Sequence, residues 1–166
     1  MDLMPLTLTA APWHHLTIAP ADGVSADLAK MEKSMPGWVA RTLDGRKATT
    51  TAELFAELAS LWGFPEHFGK NWDALNDCLC DLSWLNPRGV TFCIAHPGKL
   101  LSNSTADSRR KLVAVLQHVA SECNRPTGKG KSPRPFHVLW LVAPDDRAEV
   151  VAKWLSAGAT FQLLPA

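Results

Sequence analysis

The chain has 166 residues, 46% of them hydrophobic, with seven tryptophans and no tyrosine, which excludes a disordered or low-complexity polymer and predicts one globular unit with a substantial core. Lys and Arg total 17 against 16 Asp and Glu, for a formal charge of +1. So even a balance leaves no overall electrostatic footprint for nucleic acid or an anionic membrane, and any charge-based function has to be local.

The N-terminus, MDLMPLTLTAAPWHH, lacks the basic start and continuous apolar core of a signal peptide, and no apolar run reaches the ~18 residues needed to cross a bilayer. These features predict a cytoplasmic protein with no membrane association. Residues 1–35 form an N-terminal extension packed on the domain that follows, with a short strand from His14 to Ala19 and a helix from Ser25 to Ser34 capped by Ser25. Adjacent strand residues face opposite sides, so His14 and His15 are expected as a surface pair at a strand end rather than as joint metal ligands.

Pro36 and Gly37 break the chain, and Trp38 to Leu43 then alternates like a half-buried strand ending at the Asp44-Gly45 turn. Thr50-x-x-Glu53 is a capping box, followed by Leu54, Phe55, Leu58, Leu61 and Trp62 at helical spacing until Gly63 and Pro65. A second helix follows, because Trp72, Leu75, Leu79 and Leu82 repeat every three or four residues. Opposite that apolar stripe stand Asp73, Asp77 and Asp81, four residues apart. Each like-charged pair at this spacing costs an isolated helix roughly 0.2–0.5 kcal/mol, so the arrangement calls for a reason.

Gly89 to Ala95 (GVTFCIA) and Phe136 to Val142 (FHVLWLV) are nearly continuous apolar runs, the pattern of strands buried on both faces. Between them, Asn103 to Cys123 reads as a helix and Asn124 to Arg134 as a basic loop, solvated or touching RNA phosphate. Asp145 to Ser156 reads as a helix and Thr160 to Leu164 as a last strand. Strands alternating with helices predict an α/β layer with mostly parallel pairing. The four cysteines, Cys78, Cys80, Cys93 and Cys123, lack zinc-site spacing. On a helix Cys78 and Cys80 point ~200° apart. All four are therefore expected as small apolar packing residues, with no metal and no cofactor.

The stretch FPEHFGKNWDALNDCL, Phe64 to Leu79, resembles the signature of the barstar family, small inhibitors of secreted ribonucleases, and the order of elements from Pro36 to Val142 follows that family's. The resemblance implies a barstar-like domain over residues 36–166, with a three-stranded parallel core sheet packed by helices and a C-terminal helix and strand added from about residue 143. It further implies a non-enzymatic inhibitor of antitoxin or immunity type that closes the basic active site of a ribonuclease or ribonuclease toxin with this helix and the loop before it.

In the family the two signature aspartates meet basic catalytic residues of the nuclease. Those positions are Asp73 and Asp77, and the partner-binding set extends to His67, Gly69, Asn76 and Asp81. Close charge pairs between barnase and barstar, the family's reference complex, couple by about 1.5–7 kcal/mol, a figure that belongs to that pair and exceeds the helical cost. His67 and Asn76 stand where well-known inhibitors carry a loop aromatic and a helix tryptophan, and His118 where the later helix supplies an acid, so the contact surface here has its own chemistry. Gly69 and Asn71 also suit the turn and cap that start the helix. Two other readings remain open: an interaction module for a partner that is not a nuclease, and a small hydrolase using His67, Asp73 and Asp77, with Cys78 or Cys80 as nucleophile.

Overall fold

The computed structural model describes residues 3–19, 21–125 and 133–164. In chain order the regular elements are β1 (His14–Ile18), α1 (Ala21–Ser34), β2 (Trp38–Asp44), α2 (Thr51–Trp62), α3 (Trp72–Asp81), β3 (Gly89–Ala95), α4 (Ala106–Asn124), β4 (Phe136–Val142), α5 (Arg147–Ser156) and β5 (Gln162–Leu163). Short 3-10 turns occur at Met4–Thr7, Gly45–Lys47 and Pro144–Asp146.

Local chemistry explains the helix limits. Thr50 accepts from the Glu53 amide while the Glu53 carboxylate accepts from the Thr50 amide at 3.0 Å, a closed capping box, and Gly63 ends α2 at φ 61°. Thr105 caps α4, which begins at Ala106, three residues inside the start expected from sequence periodicity. Helix α1 begins at Ala21, four residues before the expected cap, so Ser25 lies within it.

The sheet has five strands in the order β2-β3-β4-β1-β5, and every pairing is parallel. The expected core of Trp38–Leu43, Gly89–Ala95 and Phe136–Val142 occurs as β2-β3-β4, but three strands was too few. The N-terminal residues supply β1, which pairs with β4 along its whole length, and the C-terminal residues supply β5 on the far side of β1. An all-parallel sheet needs cover on both faces. One face packs under α2, α3, α4 and α5 through residues such as Leu58, Leu75, Leu79, Phe92, Leu116, Trp140 and Trp154. The other carries Leu6 and Val24, Leu28 and Met31 of α1 over Trp38, Cys93, Leu139 and Leu141.

The expected surface position of the histidine pair is corrected. His14 and His15 are only 4% and 1% exposed, because β1 is an interior strand covered on both faces. They do face opposite sides: His14 stacks on Trp140, whereas His15 Nε2 lies 2.8 Å from His137 Nδ1. His137 Nε2 is 2.6 Å from the Leu8 carbonyl oxygen, so this nitrogen carries the proton and donates. Its Nδ1 then accepts from His15. This neutral relay ties the segment before β1 to the sheet.

At the β2-β3 edge, Gly89 lies directly across from Trp38, whose indole covers it and donates to Thr91 Oγ1 at 3.1 Å. A Cβ at Gly89 would fall within the Trp38 ring. Gly89→Ala is expected to lower stability by ~1–3 kcal/mol through overpacking, read as a lower urea midpoint at unchanged slope.

Candidate functional site

The candidate surface is built on α3 and the loop before it. Asn71 caps the helix by accepting from the Ala74 amide at 2.8 Å, and its side-chain amide donates back to the Gly69 carbonyl at 3.3 Å. Lys70 adopts φ 48°, which turns the chain into the cap. The loop is fixed from below by aromatic packing: Phe64 and Phe68 have ring centroids 4.9 Å apart, and Phe55 meets Trp72 at 5.0 Å. Because Phe68 and Trp72 turn inward, His67 and Gly69 stay on the surface.

Leu75 and Leu79 bury the opposite face of α3, which leaves Asp73, Asp77 and Asp81 exposed in a row. Asp73 sits in the first turn, where the helix dipole favours a negative charge. Among the described residues neither Asp73 nor Asp77 makes an ion pair, and the one side-chain contact of Asp77 is a long hydrogen bond from Asn76 at 3.5 Å. Asp81 differs, since its carboxylate accepts from Ser83 Oγ at 2.9 Å. His118 is exposed on α4, the helix packed beside α3.

The last turn of α3 is held by Arg134, the final residue of the basic segment expected as a loop. Arg134 Nη1 donates to the Asp81 carbonyl at 2.8 Å, and Nη2 to the Cys80 carbonyl at 2.7 Å and the Leu79 carbonyl at 3.3 Å. The guanidinium thus satisfies free carbonyls at the negative end of the helix dipole. Lys129 and Lys131 lie outside the described residues. Nothing in the sequence pairs Arg134 with α3, because the contact spans more than fifty residues of chain.

The cysteines also depart from expectation. Only Cys93 is buried; Cys78, Cys80 and Cys123 are partly exposed. Burial pushes the Cys93 thiol up to about 12, and burial together with the charges of Asp77 and Asp81 raises that of Cys78. Among the described residues, no hydrogen bond or ion pair links His67, Asp73 and Asp77, and the contact recorded for Asp77 comes from Asn76.

No described helix is long and apolar enough to cross a membrane. Comparison with curated proteins gives no match. Among solved structures, the chain is similar to the Aeropyrum pernix ORC2 protein in its ADP form, with TM-score 0.54 and 12% identity, covering 97% of this chain and 44% of that one. The same protein in ADPNP-ADP complexes gives TM-score 0.54 and 13% identity, covering 99% of this chain and 44% of that one. The chain therefore spans less than half the length of these proteins, and at such identity the likeness is one of fold alone. The phosphate-binding pattern G-x-x-x-x-G-K-[ST] does not occur in the sequence. A family model described as "Barstar (barnase inhibitor)" matches residues 38–141, from the first residue of β2 nearly to the end of β4 and across the whole of α3. With most of its length matched in this way, the chain belongs to the barstar family.

Proposed function

We propose that the protein is a non-enzymatic inhibitor of a basic ribonuclease or ribonuclease-type toxin, of antitoxin or immunity type, acting in the cytoplasm. Asp73 and Asp77 meet the cations of the nuclease cleft, while His67, Gly69, Asn76 and Asp81 shape the surrounding contact. The observation that carries this reading is the pair of exposed carboxylates, without ion-pair partners among the described residues, on a helix face whose opposite side is fixed in the core. Such charges cost little to present and gain from desolvated cations across an interface. A fully exposed helix face also lacks the water exclusion that catalysis uses, which favours binding over turnover.

The direct test is co-purification followed by inhibition of RNA cleavage by the captured nuclease. Association is expected to slow as salt rises from 50 to 500 mM, because steering by the acidic row is screened over ~8 Å at physiological ionic strength. Capture of a basic ribonuclease that remains fully active when bound would overturn the inhibitor reading. Partners that are uniformly acidic would remove its electrostatic basis.

A further inference from the structure

Cys80 and Cys123 occupy the last turns of α3 and α4, and both line one cavity of about 520 Å³ together with Asp81, Glu122, Arg125 and Arg134. One guanidinium nitrogen bridges the two residues, since Arg134 Nη2 donates to the Cys80 carbonyl at 2.7 Å, and each thiol shifts the titration of the other. Arg134 Nη2, held in place by the α3 carbonyls, also donates to Cys123 Sγ at 3.0 Å. We propose that Cys80 and Cys123 form a peroxide-sensitive dithiol, a modification site in which Cys123 is the attacking sulfur and Cys80 the resolving one.

The geometry distinguishes the two thiols. The fixed cation donates to the sulfur of Cys123 but only to the carbonyl of Cys80, so negative charge collects on the Cys123 sulfur. Its pKa is pushed down to about 6, first by the neighbouring Cys80 thiol, with Arg134 adding to this against burial and the Glu122 charge. The neighbouring Cys123 sulfur and burial raise the Cys80 thiol, which keeps its proton. The thiolate is the nucleophile, and a low-pKa, accessible thiolate beside a second thiol is the arrangement of redox-sensitive cysteines. Among the described residues, neither a cation nor a second thiol contributes at Cys78 or Cys93, and both are raised.

The chemistry closes without a cofactor. The Cys123 thiolate attacks one oxygen of hydrogen peroxide, the O–O bond breaks, hydroxide leaves, and the sulfur becomes a sulfenic acid. Cys80 then attacks that sulfur through its own, loses its proton, and displaces the hydroxyl as water. Peroxide is reduced by two electrons and the two sulfurs are oxidised to a disulfide. The bond would join the C-terminal turns of α3 and α4, and the cavity gives peroxide access to the pair.

The full-length protein supplies the test. In the reduced protein at pH 7, iodoacetamide is expected to alkylate Cys123 at least about tenfold faster than Cys78 or Cys93, the advantage of a mostly ionised thiol over mostly protonated ones. Brief treatment with stoichiometric hydrogen peroxide should yield a Cys80–Cys123 linked peptide in a non-reduced digest. In the variant Cys80→Ser, the same treatment should leave a sulfenic acid on Cys123 that dimedone labels. Alkylation of Cys123 no faster than Cys78, or peroxide products confined to Cys78 and Cys93, would overturn the proposal. Failure of the folded Cys80→Ser variant to trap dimedone at Cys123 would overturn the assignment of Cys123 as the attacking sulfur.

Discussion

Replacing Asp73 and Asp77 together by alanine is expected to abolish capture of a basic ribonuclease at micromolar concentration while leaving the fold intact. Each carboxylate, on the proposed reading, loses water on docking and meets a fixed cation. Truncating either one is expected to weaken binding by about 2–5 kcal/mol, partly because the partner's charge is left buried without its counterpart. The two residues lie within a turn of each other on α3, so their losses need not add. Calorimetric titration of the single and double variants against the captured nuclease measures both the size of the effect and the coupling.

Stability should move little, and upward if at all, because two like charges leave an exposed helix face. The small loss of the Asp73 dipole interaction opposes that gain. Thermal unfolding separates the possibilities. If the double variant unfolds, the aspartates are structural; if it binds as tightly as the parent, the inhibitory face lies elsewhere on the molecule.

A second large effect is expected from acid. His14 and His15 are buried by the layers on either side of β1, and burial, joined by the charge of His137, lowers both pKa values from 6.5 to about 4. The Leu116 backbone opposes this at His14 without reversing it. His137 is lowered in the same direction by burial, against its bond to Leu8. Above pH 6.5 these rings are neutral in both folded and unfolded chains, so their neutral burial costs nothing extra.

As pH falls below 6.5 the unfolded chain takes up protons that the folded chain refuses, and stability is lost until the folded histidines themselves titrate near pH 4. The shift at His14 alone corresponds to about 3 kcal/mol, a large fraction of the 5–15 kcal/mol that holds a typical domain. Urea unfolding at intervals from pH 7.5 to 4.5 should show a steep decline over that window. In His14→Leu the proton uptake on unfolding at pH 5 should fall by about one, even if the variant starts from a different absolute stability. A stability that stays flat down to pH 5 would show that the rings are hydrated in the folded state.

Much of the molecule was legible from short-range pattern. Thr50 and Glu53, the Leu75–Leu79 spacing, and the apolar runs of β3 and β4 are signals carried within a dozen residues, and helices and strands form where they indicated. The acidic row was legible for the same reason, since a helix of known phase puts residues four apart on one side. The match over residues 38–141 adds the family, and with it the parallel β2-β3-β4 order.

Tertiary structure alone decided where the ends of the chain go. The short run His14–Ile18 looks like any half-polar strand, yet β4 would otherwise be a sheet edge, and β1 pairs along it and becomes interior. That placement buries two histidines whose sequence context reads as surface. Likewise Arg134 in a basic segment, and Cys80 and Cys123 on different helices, carry no mark of one another in the sequence. Their meeting depends on the packing of α3 against α4 and on the turn into β4, which are long-range contacts that neither propensity nor periodicity encodes.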